Sequence, residues 1–186
     1  QRPQQIVSRM MNAGYKIIYI AMTIEILKKK FESTSEATTN IGFSLISKNI
    51  YQVWLKCFRA LNIYSDAIKD DNLHNLSIQI EGIVEKTQPE AIYYLVHFPS
   101  WWPLVFRLRN KLGGKIIFDC MDSHEGFSNT TKKALRSEKE LIKNSNLVVV
   151  TSAYLEEKVK KINSNYLHIK NGCEFDHFNT HKRNGR

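Results

Sequence analysis

Apolar residues recur along the chain in two alternating patterns. Short runs rich in apolar and β-forming residues are typical of buried strands, and they occupy 15–20, 50–55, 91–96, 115–118, 146–150 and 166–169. Between these runs the apolar residues fall at helical spacing, which predicts helices around 6–11, 73–84, 104–112, 134–142 and 155–162. The stretch 22–49 shows no clear period, and its polar part, 32–40, predicts a loop.

This order of elements predicts the fold class. Strands that are apolar on both faces belong to parallel sheets that helices cover. Alternation of strands and helices with short connections therefore predicts an α/β fold with a doubly wound, mostly parallel Rossmann-like sheet and helices on both faces. In such sheets ligands bind beyond the carboxyl ends of the strands. The residues that directly follow each strand are therefore the first candidates for a functional site.

Composition narrows the class of protein. The 186 residues suit one domain, and three cysteines without CxxC spacing argue against a disulfide scaffold and favour a reducing cytoplasm. The longest stretch without a charged residue, 91–106, is shorter than the roughly 20 residues of a membrane-spanning helix. We therefore expect a soluble chain. Neither GxGxxG nor GxxxxGK[ST] occurs, which disfavours a self-contained dinucleotide or ATP enzyme.

The charge is positive and uneven. The net charge is +9, and residues 94–186 hold 16 basic and 9 acidic residues, a net +7. This asymmetry indicates either an anionic partner or a solvated basic surface. No zinc finger, RRM motif or basic zipper is present, so we expect no nucleic-acid partner.

His97 and two tryptophans follow the strand predicted at 91–96. His97 comes at the strand end, and Trp101 and Trp102 lie in the Pro-rich loop after it. Tryptophan offers flat apolar area and one N–H donor, which suits sugar rings or lipid headgroups. The alternative is that both tryptophans anchor the next helix to the core.

The densest group of ionisable residues follows the next strand. It consists of Asp119, Asp122, His124 and Glu125. A carboxylate there can orient a hydroxyl or act as a base, and histidine titrates near neutral pH. The alternative is a loop whose polar side chains cap backbone N–H groups. No third or fourth metal ligand is evident from spacing, so we expect no metal. Glu138, on an apolar helix face, needs a partner and either braces this site or pairs with a lysine.

Several stretches together resemble the N-terminal domain of GT-B glycosyltransferases of the family-four kind. Single motifs are weak, and their order and spacing make the set specific. The resemblance covers nearly the whole chain except roughly 22–49. Its stretches are QRPQQ (1–5), PSWWPL (99–104), FDCMDSHEGF (118–127), VVVTS (148–152) and KNGCEFDHF (170–178).

The resemblance implies two Rossmann-like domains that face a cleft. Residues 1–170 would be the first, acceptor-side domain, whose first strand is missing here, and 171–186 would begin the interdomain linker. The second domain would hold most of the nucleotide-sugar site. We therefore expect no cofactor in this domain, and no activity from this segment alone.

The resemblance also guides the choice of site residues. Many relatives place a histidine at the end of the strand that matches 115–118, where this chain has Met121. Arg2 would face the donor phosphates near a helix N-terminus; the alternative is a surface arginine. The expected catalytic residues are Asp122, His124 and His97, and the expected substrate-binding residues are Arg2, Trp101, Trp102, Asp119 and Glu125.

The implied activity is transfer of a hexose from a nucleotide-sugar to a glycan or lipid-linked acceptor in bacterial cell-surface polysaccharide synthesis. The expected location is the cytoplasm, with peripheral contact at the inner face of the membrane. One alternative is a non-catalytic binding module for an anionic ligand or a membrane surface, with Trp101, Trp102, Arg107 and Arg109 at lipid headgroups. A weaker alternative is a signalling α/β domain with Asp119 in an acidic pocket, although the other residues of such a pocket are not evident.

Overall fold

The structure is a computed structural model, and it describes residues 2–20, 25–26, 33–39, 41–62 and 67–172. The helices of this part are α1 (Arg2–Asn12), α2 (Thr34–Thr39), α3 (Asp70–Thr87), α4 (Trp102–Leu112), α5 (Lys132–Asn144) and α6 (Ala153–Val159). The strands are β1 (Ile17–Ile20), β2 (Glu25–Ile26), β3 (Gly42–Ser47), β4 (Ile50–Trp54), β5 (Lys56–Cys57), β6 (Tyr93–Val96), β7 (Lys115–Cys120), β8 (Leu147–Val150) and β9 (Tyr166–His168).

A four-stranded parallel sheet forms the second half of the chain, in the order β6-β7-β8-β9. Phe118 of β7 stands opposite Val96 of β6 and Val148 of β8. All three side chains are buried in one core with residues of α4, α5 and α6. Each of these helices connects two neighbouring parallel strands, so the three helices cover the same face of the sheet.

Shorter sheets form the first half of the chain. β1 and β2 pair in parallel with β4 and β5, and β3 pairs antiparallel with β4. A second core packs β1, β4 and β5 against α3 and α4. The fold is therefore α/β and Rossmann-like, as the sequence predicts, with one antiparallel strand in the region that had no clear period.

Side chains of β7 meet helices on both faces of the four-stranded sheet. Successive side chains of a strand point to opposite faces, so Asp119 faces away from Phe118 and Cys120, which are buried beneath α4–α6. The Asp119 side chain meets Arg2 of α1. α1 therefore reaches the face opposite α4–α6 through its first residue.

The predicted loop at 32–40 is wrong, because residues Thr34–Thr39 form α2. The Ser33 hydroxyl accepts a hydrogen bond from the Glu36 backbone N–H at 3.2 Å, which caps the helix. Ala37 is fully buried beside Ile78 of α3. Ser33 and Glu36 have the S-x-x-E spacing of a capping box, which was the available sequence signal.

Strand β7 is two residues longer than predicted, so Asp119 and Cys120 belong to the strand rather than to the loop after it. The proposed boundary between domain and linker stays a prediction, since residues 173–186 lie outside the described residues. Within the described part, no helix is both long enough and apolar enough to cross a bilayer.

Candidate functional site

Asp119 is the centre of an ionic group at the carboxyl edge of the sheet. Its side chain is only 1% exposed. The Arg2 guanidinium donates from Nε to both carboxylate oxygens, at 3.0 and 3.1 Å, and from Nη2 to Oδ1 at 2.9 Å. This bidentate contact is the geometry in which arginine binds a carboxylate most strongly.

His97 is brought to the same carboxylate by the register of β6 and β7. Val96 stands opposite Phe118, so the next residue of each strand, His97 and Asp119, are neighbours. His97 Nδ1 lies 3.2 Å from Asp119 Oδ2. This contact is an ion pair when the imidazole is protonated, and Nδ1 has no other hydrogen-bond partner. The attraction between the two side chains is therefore mainly electrostatic.

The protein environment keeps Asp119 ionised. Burial by itself would raise the pKa of this carboxyl, but the contacts and charges of His97 and Arg2 outweigh burial and lower the pKa below its usual value. The site thus holds a fixed negative charge between two basic side chains.

Arg2 also ties α1 to the chain beyond β9. Its Nη1 donates to the Ile169 carbonyl and to Asn171 Oδ1, each at 3.2 Å. A guanidinium has five N–H donors, and these contacts together with Asp119 occupy four of them. The structure thus places Arg2 in an internal ion pair, with one N–H left to meet a ligand.

A second ionic group is centred on Glu138 of α5, which is 2% exposed. Glu138 Oε1 lies 2.8 Å from His124 Nδ1, and Oε2 accepts a hydrogen bond from Lys158 Nζ at 2.9 Å. Lys158 Nζ also lies 3.4 Å from Glu125 Oε1. Glu138 therefore pairs with a lysine, as one of its two expected roles requires, and also contacts the loop after β7 through His124.

The Glu138 carboxylate stays charged in this interior position. Burial would raise its pKa, but His124 and Lys158 outweigh burial and lower it. For Lys158, burial alone would lower the pKa, and its contacts with Glu138 and Glu125 raise it instead. Three segments, α5, α6 and the loop after β7, thus meet at one buried carboxylate.

The structure separates the four polar residues that the sequence grouped together, Asp119, Asp122, His124 and Glu125. Asp119 faces α1, whereas His124 is buried against Glu138. Asp122 and Glu125 are exposed on the loop that follows β7. The Thr151 hydroxyl donates to the Met121 carbonyl at 2.9 Å and fixes the start of that loop at the carboxyl edge.

The two tryptophans contact the protein core. Trp102 is 9% exposed, and its ring lies 5.0 Å from that of Phe106. Trp101 is half-buried against both cores. These contacts are those of residues that anchor α4, so neither ring offers the broad free face that a sugar or a lipid headgroup requires.

The two cysteine thiols within the described residues are not activated as nucleophiles. Burial raises the pKa of Cys57 to about 12. Burial, aided by nearby carboxylates, likewise raises the pKa of Cys120 to about 12. Thiols with such pKa values stay protonated at neutral pH.

The chemistry that this edge supports best is proton transfer by His97. A carboxylate beside one imidazole nitrogen favours the orientation in which the other nitrogen acts as base. The His97 side chain is 16% exposed, so its ring reaches solvent. Sequence reasoning selected Arg2, His97 and Asp119 separately and missed that they form one group.

Comparison with known proteins adds no assignment. No protein-family model matches the sequence, and no curated protein matches it either.

Proposed function

We propose that this chain is the acceptor-side domain of a GT-B glycosyltransferase of the family-four kind. The full protein would transfer a hexose from a nucleotide-sugar to a glycan or lipid-linked acceptor. The observation that supports this most is the Arg2–Asp119–His97 group at the carboxyl edge, where Rossmann-like sheets bind their ligands. Arg2 and Asp119 lie in stretches that resemble the family, and His97 lies two residues before a third.

In the proposed reaction His97 is the base. The acceptor hydroxyl oxygen forms a bond to the anomeric carbon, and the bond from that carbon to the nucleotide diphosphate breaks. The hydroxyl proton passes to His97 Nε2, and the nucleotide diphosphate leaves with the bonding electrons. Asp119 stabilises the imidazolium that forms, and the exposed carboxylate of Asp122 orients the hydroxyl.

The test is acceptor-dependent release of nucleotide diphosphate by the full protein that contains this chain. The donors are UDP-, GDP- and dTDP-hexoses, and the acceptor is a lipid and glycan extract of bacterial membranes. His97→Ala should reduce turnover by about 10²–10⁴-fold, the usual contribution of a positioned base. The control is Lys86→Ala, an exposed residue at the end of α3, away from the carboxyl edge. Absence of release with every donor would contradict the proposed function, and full turnover by His97→Ala would remove His97 from the site.

A further inference from the structure

A stripe of cations runs along the exposed side of α5. Lys132, Arg136, Lys139 and Lys143 are all exposed, and their spacings of four, three and four residues place them on one side of the helix. At about 1.5 Å per residue, the stripe is about 16 Å long.

These cations are not neutralised within the described part of the chain. No ion pair there includes any of the four, or Lys161 just beyond α6. The nearby acids are mostly engaged: Glu157 pairs with Lys160, and Glu138 with Lys158. The exposed Glu140 of α5 contacts Asn144.

The stripe is locally unfavourable for α5. Like charges three or four residues apart repel along a helix. Lys132 also lies in the first turn, where the helix dipole disfavours a cation, and that turn contains no acidic residue. Glu140, four residues after Arg136 and three before Lys143, offsets this repulsion in part. An anionic partner would relieve what is left.

A groove of about 650 Å³ lies between α5 and α6, beside the stripe. Its lining includes the apolar side chains of Leu135 and Ile162, with Arg136, Lys139 and Lys161 around them. The three glutamates of the lining each contact another lysine, since Glu125 and Glu138 pair with Lys158 and Glu157 pairs with Lys160. Tyr154, also part of the lining, is 66% exposed. Cations around apolar area with an exposed aromatic ring are typical of surfaces that lie at a membrane interface.

We infer that this surface, the α5–α6 face, binds the anionic surface of a phospholipid bilayer. The charge is spread over the length of α5 rather than focused on one point, which suits many phosphates better than one small anion. The apolar lining and Tyr154 suit the boundary between headgroups and acyl chains.

The experiment is sedimentation of the whole chain with phospholipid vesicles, and it requires no enzymatic activity. Binding to phosphatidylcholine vesicles that contain about 30% phosphatidylserine is compared with binding to phosphatidylcholine alone. The triple variant R136E/K139E/K161E should bind the acidic vesicles about 100-fold more weakly, since each cation near such a surface contributes about fivefold. Binding by the wild type should also weaken as salt rises.

A matched control separates the face from net charge. K48E/K86E/K115E makes the same change in charge with exposed residues outside the α5–α6 face, and it should retain more of the binding. Should the glutamate triple variant fold poorly, R136Q/K139Q/K161Q removes the same cations without adding negative charge and should also weaken binding.

Tyr154→Ala distinguishes a bilayer from an acidic polypeptide. The substitution should weaken binding to acidic vesicles and leave binding to polyglutamate unchanged. The proposal is overturned if phosphatidylserine has no effect, or if the control triple variant loses as much binding as the test variant. It is also overturned if polyglutamate binds as tightly as vesicles and Tyr154→Ala has no effect, because the face would then recognise acidic protein segments.

Discussion

Asp119 is tolerated inside the protein because two basic side chains compensate its charge. A buried carboxylate without a partner is strongly unfavourable, and removing one member of a buried ion pair leaves the other uncompensated. Arg2 is 14% exposed in its side chain, so it retains little water to replace the lost carboxylate. The contact joins residues 117 positions apart, and it also holds α1 on the sheet.

Asp119→Asn should therefore reduce both stability and activity. The free energy of unfolding should fall by about 3 kcal/mol, because the Arg2 charge is left in a mostly buried position. Turnover of the full protein should also fall, since His97 loses the carboxylate that stabilises its charged form. Urea unfolding and donor turnover are the measurements. Stability equal to that of the wild type would contradict the view that this ion pair supports the fold.

Asp122 and His124 should respond differently to substitution, although both were expected to be catalytic. Asp122 is exposed, so Asp122→Ala should leave unfolding within about 0.5 kcal/mol of wild type while lowering turnover. His124→Ala removes a partner of Glu138 and should cost about 2 kcal/mol or more of stability. Thermal unfolding and turnover of both variants, measured side by side, decide the assignment. If Asp122→Ala retains full turnover, Asp122 does not act in the site.

The residue types of the candidate site could be predicted from the sequence, but their partners could not. Strand-end position identified His97, Asp119 and His124 as polar residues at a binding edge. The strand continues through Asp119, so the Asp119 side chain faces α1. His124, with which the sequence grouped it, instead contacts Glu138 of α5. The Asp119 contact depends on Arg2, whose proximity arises only from the tertiary fold.

Elements with strong periodicity could be predicted well, and those that depend on distant contacts could not. Strands β4, β6 and β8 and helices α3, α4 and α5 lie where the apolar pattern places them. The short helix α2 has only the spacing of Ser33 and Glu36 as a local signal, and its single buried alanine packs against α3. Strand β3 is largely exposed, so it lacks the buried face that makes a strand recognisable.

The turn between α4 and β7 offers a test at the level of one element. Gly113 and Gly114 both have positive φ, 74° and 99°. A Cβ at Gly114 would lie 2.7 Å from the Ile92 carbonyl oxygen and 2.9 Å from Tyr94, whereas a Cβ at Gly113 has no atom within 4 Å. An alanine at either position would have a strained positive φ, but only at Gly114 would its methyl group also meet other atoms.

Gly113→Ala should cost about 1–3 kcal/mol of stability, because φ of 74° with ψ of −158° is a backbone conformation that essentially only glycine adopts. Gly114→Ala should cost about 1–3 kcal/mol more, because the added methyl group forces the turn away from β6. Urea unfolding of the two variants measures the difference directly. Equal losses would mean that the turn moves freely and does not fix the entry into β7.

At the scale of the whole molecule, the sequence predicts which strands pair in the second half of the chain but not in the first. Alternating elements with short links predict neighbouring parallel strands, and β6 to β9 follow chain order. In the first half β1 pairs with β4, and Ile17 stands opposite Ile50. Such distant pairs are selected by the packing of β1, β4 and α3 into one core, which no local pattern reveals.

The loss of stability at acid pH involves the whole molecule, because three buried carboxylates that contact basic side chains link different helices and strands. Glu81 of α3, Asp119 and Glu138 all have pKa values lowered in the folded state, as the basic side chains beside them outweigh burial. Glu81 bonds Lys111 of α4 at 2.7 Å. A carboxyl whose folded pKa is depressed stabilises the fold above its unfolded pKa, and this contribution is lost as pH falls through the folded pKa.

The free energy of unfolding should therefore decline as pH falls below about 4.5, the ordinary pKa of a glutamate, because the unfolded chain binds more protons there. Glu138→Gln should reduce the stability at neutral pH and make the decline below this pH shallower, since one of the linked carboxyls is gone. Glu140→Gln is the control, because Glu140 is exposed on the same helix, and it should keep the wild-type slope. Urea unfolding between pH 7 and pH 3 measures both slopes. An unchanged slope in Glu138→Gln would show that the contacts of His124 and Lys158 with Glu138 do not couple protonation to folding.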